Sequence, residues 1–295
     1  MKKISIIAIV LLTTITAWGQ QEPLLTNYQL NYFTWNPAAA GSAGQWALRT
    51  EIRGEWLGFP GAAQTQNVTL HGAIGRVGLG VTLINDLIGP EQRTGFNTGY
   101  AYLLPMGDNT LSIGLGLNAV KYSLKQGEVF TNTPADPAVL AMTGAWNIDL
   151  AFGAYFYGEK FYAGISAPRL VQLTKIGITD AIHYGLMAGY RMHSSDNFTF
   201  EPSVMVKGAS GGPVQYEIDA KAHLLNEQLY FGVGYRGGKG NFISALVGAK
   251  VLNKYHLAYS YDFTTSEFQS YNSGSHELML GMDFNWKPKV EQAAE

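Results

Sequence analysis

The chain has 295 residues, a formal net charge of −2 and no cysteine. The near-neutral charge argues against nucleic acid as a partner, and the missing cysteine rules out both a disulfide framework and a lipid-modified N-terminal cysteine. Charged residues make up only 14 % and aromatics 13 %, with 35 glycines; globular domains carry about 25 % charge and about 7 % glycine, so a β-barrel with a lipid-facing skin fits better than a soluble enzyme.

The first residues read as a secretion signal. Lys2 and Lys3 form a positive start, Ile4 to Ile15 is an apolar run of 12 residues, and Ala17-Trp18-Gly19 supplies small residues at the positions a signal peptidase reads. Such a run is shorter than the roughly 20 apolar residues of a spanning helix. Residues 1–19 are therefore expected to be removed, leaving Gln20 as the mature start.

Residues 20–44 come next, an N-terminal periplasmic or plug segment. The stretch NYFTWNPAAAGSAGQW, Asn31 to Trp46, has neither helical nor strand periodicity. Tyr32, Phe33 and Trp35 would each gain roughly 1.5–3 kcal/mol on burial. The segment is expected at the periplasmic end, either folded up into a lumen as a plug, the preferred reading, or laid against a periplasmic partner. Asn36 should cap a turn that Pro37 fixes, and the small run from Ala38 to Gly44 can bend tightly under a first strand.

From 45 to 286 the period is two. In Leu111 to Ala119 (LSIGLGLNA), Leu111, Ile113, Leu115 and Leu117 alternate with Ser112, Gly114, Gly116 and Asn118. Fourteen such segments are legible, near 45–53, 64–71, 76–85, 93–104, 110–124, 146–157, 160–167, 182–192, 198–207, 215–224, 229–236, 241–251, 255–262 and 275–286. Most approach the 9–11 residues of a tilted transmembrane strand. Short connectors (HGAIG, PMGDN, GE, HSSDN, LNEQ, LNK) alternate with mostly longer ones, the pattern of periplasmic turns and extracellular loops. The expected fold is all-β: a transmembrane antiparallel β-barrel of about 14 strands, with residues 287–295 as a periplasmic tail.

Aromatics gather at the short-turn ends, among them Tyr155, Phe156, Tyr157, Phe161, Tyr162 and Tyr230, and are expected to form the periplasmic girdle. The inward faces carry Arg49, Glu51, Arg53, Asp149, Arg191, Glu201, Lys207, Glu217, Asp219, Lys221, Asp262 and Asp283, a mixture of signs that reads as an ion-paired wall. Two motif matches dissolve in context. GLGLNA, Gly114 to Ala119, lies inside one strand where inward glycines make room, not at a strand-to-helix turn. GASGG, Gly208 to Gly212, lies in a loop and not at a nucleophile elbow. The six histidines are scattered, with no HExxH. No catalytic residue, metal site or cofactor is expected.

With the barrel established, three ordered motifs carry a resemblance. NYFTWNPAAAGSAG, then EWLGFPGAAQTQ (Glu55 to Gln66), then INDLIGPEQRTGFNTGYAYLLP (Ile84 to Pro105) resemble the PorP/SprF family of Bacteroidetes outer-membrane proteins. The resemblance implies a non-enzymatic barrel of the cell outer membrane in contact with its lipid. It also implies type IX secretion components as partners, in the periplasm and the outer membrane, and export or surface attachment of an adhesin, with gliding motility in some members. Candidate cargo loops are then Trp56, Gly58 and Phe59, and Asn85, Asp86, Gly89 and Pro90. Tyr32, Phe33, Trp35, Asn36 and Pro37 are the candidate plug or partner segment. Gly281, Phe284 and Trp286 are similar to a barrel-assembly signal, with Met279 where a polar residue is usual. The alternative is an outer-membrane channel or a FadL-like transporter of small hydrophobic solutes, although only about 25 residues precede the first strand here.

Overall fold

The computed structural model describes residues 25–125, 144, 146–174, 181–195, 197–238 and 241–286. The signal segment 1–19 and the tail 287–295 lie outside them. The described chain forms one closed antiparallel barrel. Its strands are β1 Trp46–Gly54, β2 Gln64–Ile74, β3 Val77–Ile88, β4 Glu91–Met106, β5 Asn109–Leu124, β6 Trp146–Tyr157, β7 Phe161–Gln172 and β8 His183–Tyr190. They continue with β9 Met192–Ser195, β10 Phe198–Ala209, β11 Gln215–Leu224, β12 Leu229–Gly237, β13 Phe242–Val251, β14 Tyr255–Thr264 and β15 Ser275–Phe284. From β1 to β8 and from β9 to β15 each strand pairs with the next in sequence, and β1 closes the ring against β15. β8 and β9 both pair with β10 and form one stave, interrupted at Arg191, whose N–H still donates to the Lys160 carbonyl beside β7. The barrel therefore has 14 staves.

Period-two sequence becomes two opposite surfaces because successive side chains leave a strand on opposite sides. Outward side chains such as Leu83, Leu115, Ile218, Val233 and Leu280 stay more than half exposed all around the ring. A continuous apolar surface of that extent needs lipid against it. Inward positions are polar or small: Thr65, Asn67 and Thr69 on β2 are almost fully buried, as are Glu217 and Lys221 on β11.

One connector and three rings depart from the sequence expectations. Asn85 and Asp86 belong to β3, not to a loop, because the ladder runs on to Ile88↔Glu91 and leaves only Gly89 and Pro90 as a turn. Gly89 holds φ +54 there, a left-handed value that glycine adopts without steric cost. Tyr155, Tyr162 and Tyr230 face inward and are nearly fully buried, while Phe156 and Phe161 face the membrane. Adjacent residues on a strand cannot all reach the lipid, so a run such as Tyr155-Phe156-Tyr157 is divided between the two faces.

Candidate functional site

The lumen is occupied by residues 25–41. This segment makes three single 3-10 turns, Asn27–Leu30, Tyr32–Thr34 and Pro37–Ala39. Asn36 accepts a hydrogen bond from the Ala38 N–H at 2.9 Å and Pro37 opens the last turn, so the Asn-Pro pair shapes this turn directly. No longer helix forms, since Asn, Thr and Pro interrupt each turn.

The segment runs the depth of the barrel, a wider reach than the periplasmic end alone. Its first residues lie among side chains of the long-loop end. Glu277 on β15 accepts from the Thr26 N–H at 2.7 Å and from the Asn27 N–H at 2.9 Å. The Thr26 hydroxyl donates to Asp262 at 2.9 Å. Arg53 ties these groups together, at 2.6 Å from Asp262, 3.0 Å from Glu277 and 2.9 Å from Glu55. Arg236 pairs with Glu217 at 3.0 Å, and Lys207 with Glu217 at 2.5 Å. Buried charges demand such partners, because a lone ion inside a protein costs several kcal/mol, on the order of the protein's whole stability. Tyr28 donates to Asp219 at 2.8 Å, and the Lys207 ammonium stands 4.9 Å over the Trp35 ring.

Its later residues rest on a patch of glycine near the short-turn end. A methyl group at Gly80 or Gly99 would overlap the Phe33 ring. One at Gly114 would overlap the Pro37–Ala38 peptide, one at Gly153 the Asn36 carboxamide and one at Gly78 the Ala40 carbonyl. The wall is bare where the segment's backbone approaches it. Asn36 also donates to the Ala154 and Ile165 carbonyls at 3.1 and 3.2 Å, and Tyr32 donates to the Tyr162 hydroxyl at 2.5 Å. Tyr28, Phe33 and Trp35 join Ala101, Leu103, Tyr155, Met187 and Met205 in the main apolar cluster of the lumen. Tyr32, Phe33, Trp35, Asn36 and Pro37 are thus brought together inside the barrel.

The outer rim is built separately. Trp56 and Phe59 of the β1–β2 loop contact the Phe268 ring at 5.5 and 5.2 Å between centroids. The Leu57 N–H donates to Gly274 and its carbonyl accepts from Ser273, which ties the first loop to the last. Gly58 holds φ +90 at the loop tip. The Pro90 carbonyl accepts from the Lys125 N–H at 2.9 Å, while the Gly89 N–H donates to the Gly61 carbonyl at 3.0 Å, so Gly89 touches the same loop. Asp86 does not: it is buried on the lumen side and accepts from the Thr65 hydroxyl at 2.6 Å. Asn85 is accepted into the outer face by Gln92 and Thr94, both donating to its carboxamide oxygen. Phe268 and the exposed Tyr271 were not singled out from sequence, since DFTTSEFQSYNSGS carries no periodicity.

The last strand closes the ring. Phe284 stands opposite Trp46 in register, the Trp286 ring meets Trp46 edge-on at 4.9 Å, and Gly281 lies beneath the Arg49 side chain. No group of His, Asp and Glu suited to a metal ion occurs among the described residues.

The fold is shared with known barrels. CymD, a monoaromatic hydrocarbon channel, superposes with a TM-score of 0.53 over 91 % of this chain and 95 % of its own, at 12 % identity. The Ralstonia pickettii toluene transporter TbuX gives 0.50 over 85 % and 92 %, at 9 % identity. The Acinetobacter baumannii outer membrane protein Omp33 gives 0.48 over 81 % and 99 %, at 8 % identity. At such identities the likeness to CymD and TbuX is one of fold. No curated protein sequence matches the chain. The family model described as type IX secretion system membrane protein PorP/SprF matches residues 17–282, nearly the whole barrel and the segment inside it. The chain therefore belongs to the PorP/SprF family of type IX secretion membrane proteins, and its barrel resides in the outer membrane.

Proposed function

We infer that this protein is a filled, non-enzymatic barrel that serves type IX secretion by docking partners, not by conducting solutes. It would support export or surface attachment of an adhesin-like cargo, and through that cargo gliding motility. The observation that carries the reading is the lumen itself, threaded by residues 25–41 and latched at both ends by hydrogen bonds to the wall. A barrel of 14 staves lies between the filled eight-stranded and open sixteen-stranded cases, and here its interior goes to its own chain.

The aromatic rim of Trp56, Phe59 and Phe268 is the proposed cargo contact, since rigid rings beside flexible glycine are typical interface anchors. Substituting Trp56 and Phe59 by alanine should abolish cargo display while barrel abundance stays normal. Persistent display would reduce the rim to a membrane girdle. Passage of small hydrophobic solutes, the alternative, has only the fold likeness to CymD and TbuX in its favour.

A further inference from the structure

The two ends of the lumen differ in charge. At the long-loop end Arg53, Arg236 and Lys207 face Glu55, Glu217, Asp262 and Glu277, so carboxylates are in excess. At the short-turn end the balance reverses. Glu201 is shared by Lys221 at 3.0 Å, Arg191 at 3.2 Å and His223 at 3.2 Å. Asp283 is shared by Arg49 at 2.7 Å, His256 at 2.7 Å and Lys250 at 3.8 Å. Each of these two carboxylates answers two permanent cations, which leaves a net positive field.

That field fills a real space. Beneath the lumen segment a cavity of about 280 Å³ opens between the short turns, bounded by Tyr32, Tyr155, Tyr157 and Tyr162 and by Arg49, Arg191 and Lys221 against the single carboxylate of Glu201. Arg191 stands at its edge with 39 % of its side chain exposed, its guanidinium 5.9 Å from the Tyr162 ring centre. Low-dielectric walls around an excess of one charge sign focus the field and raise the local concentration of counter-ions. A guanidinium presents a planar fork that matches a carboxylate.

We propose that this periplasmic vestibule is a binding site for a carboxylate-bearing peptide segment of a partner protein. The assignment rests on the docking function inferred above and names where the periplasmic contact is made. A peptide is favoured over a small inorganic anion because the tyrosine walls offer apolar surface that only a chain can use. The volume sits at the small end of ligand cavities, suited to one or two acidic side chains and not to a cofactor.

The test is direct binding to the full-length purified barrel in zwitterionic nanodiscs, read by fluorescence anisotropy. The probes are fluorescein-labelled pentaglutamate and pentalysine. Pentaglutamate should bind and pentalysine should not. Arg191→Gln should weaken pentaglutamate at least tenfold, and Arg191→Lys should restore part of it. Arg76→Gln, an exposed turn arginine at the same end but outside the cavity, should leave binding unchanged. Equal binding by the wild type and Arg191→Gln, or an equal loss in Arg76→Gln, would overturn the assignment. Displacement of the probe by inorganic phosphate as readily as by unlabelled pentaglutamate would replace the peptide by a small anion. Because the readout uses no cargo, a failure here leaves the secretion function standing, and normal cargo display without this protein would leave the binding result standing.

Discussion

Replacing Glu277 by alanine should release the outer half of the lumen segment without harming the barrel. The Glu277 carboxylate accepts two backbone N–H groups, from Thr26 and Asn27, at 2.7 and 2.9 Å. Charge-assisted hydrogen bonds contribute about 1.5–3 kcal/mol each, so roughly 3–6 kcal/mol of seating would be lost. Arg53 is not orphaned, because Asp262 and Glu55 remain at 2.6 and 2.9 Å. The cost therefore falls on the segment and not on the wall. At the low end of that range the open population rises about a hundredfold, since each 1.4 kcal/mol is about a factor of ten. The assay exploits the absence of native cysteine. Asn27 is fully buried and its carboxamide makes no hydrogen bond, so Asn27→Cys disturbs little. In whole cells a membrane-impermeant maleimide should label Asn27→Cys slowly, and the Asn27→Cys, Glu277→Ala pair about a hundred times faster. Both variants should keep the heat-dependent gel shift of a folded barrel. Equal labelling rates, or rapid labelling with Glu277 intact, would refute the latch.

Gly99→Leu should expel the Phe33 ring from its seat, costing about 1–3 kcal/mol from overpacking plus the lost burial of the ring; intrinsic fluorescence of neighbouring Trp35 and protease sensitivity before the first strand would report it, and an unchanged protein would contradict the glycine seat. Phe268→Ala should loosen both Trp56 and Phe59, since its ring meets each of theirs, and lower cargo display as far as the double loop variant does; normal display would separate the last loop from the cargo surface. Outer-membrane fractionation with a gel shift on boiling should be positive for the native chain, while a soluble, unshifted protein would end the barrel reading.

Much of the wall was legible because alternation is a local property. Gln215 to Leu224 reads as a strand from its own ten residues, and the structure draws the same boundaries. The inward glycines were legible as room-makers at Gly114 and Gly116, but nothing local says that Pro37 and Ala38 lie against them. The latch was hidden for the same reason, as Thr26 and Glu277 are 251 residues apart. Asp86 was misplaced because Asn-Asp beside Gly-Pro has loop composition, whereas the ladder simply continues past it to a two-residue turn. The inward turn of Tyr155 and Tyr162 follows from parity within their own strands, a constraint that outweighs clustering near a turn.

The most direct test of a filled, docking barrel is electrical. Purified wild-type protein should be silent in planar bilayers, because residues 25–41 occupy the lumen from the long-loop end to the glycine patch. Deleting residues 23–35 removes Tyr28, Phe33 and Trp35 from that interior while leaving every strand pair in place, so the variant should insert and conduct steadily. Large stable currents from the wild type, or a correctly inserted deletion variant as silent as the wild type, would contradict the account.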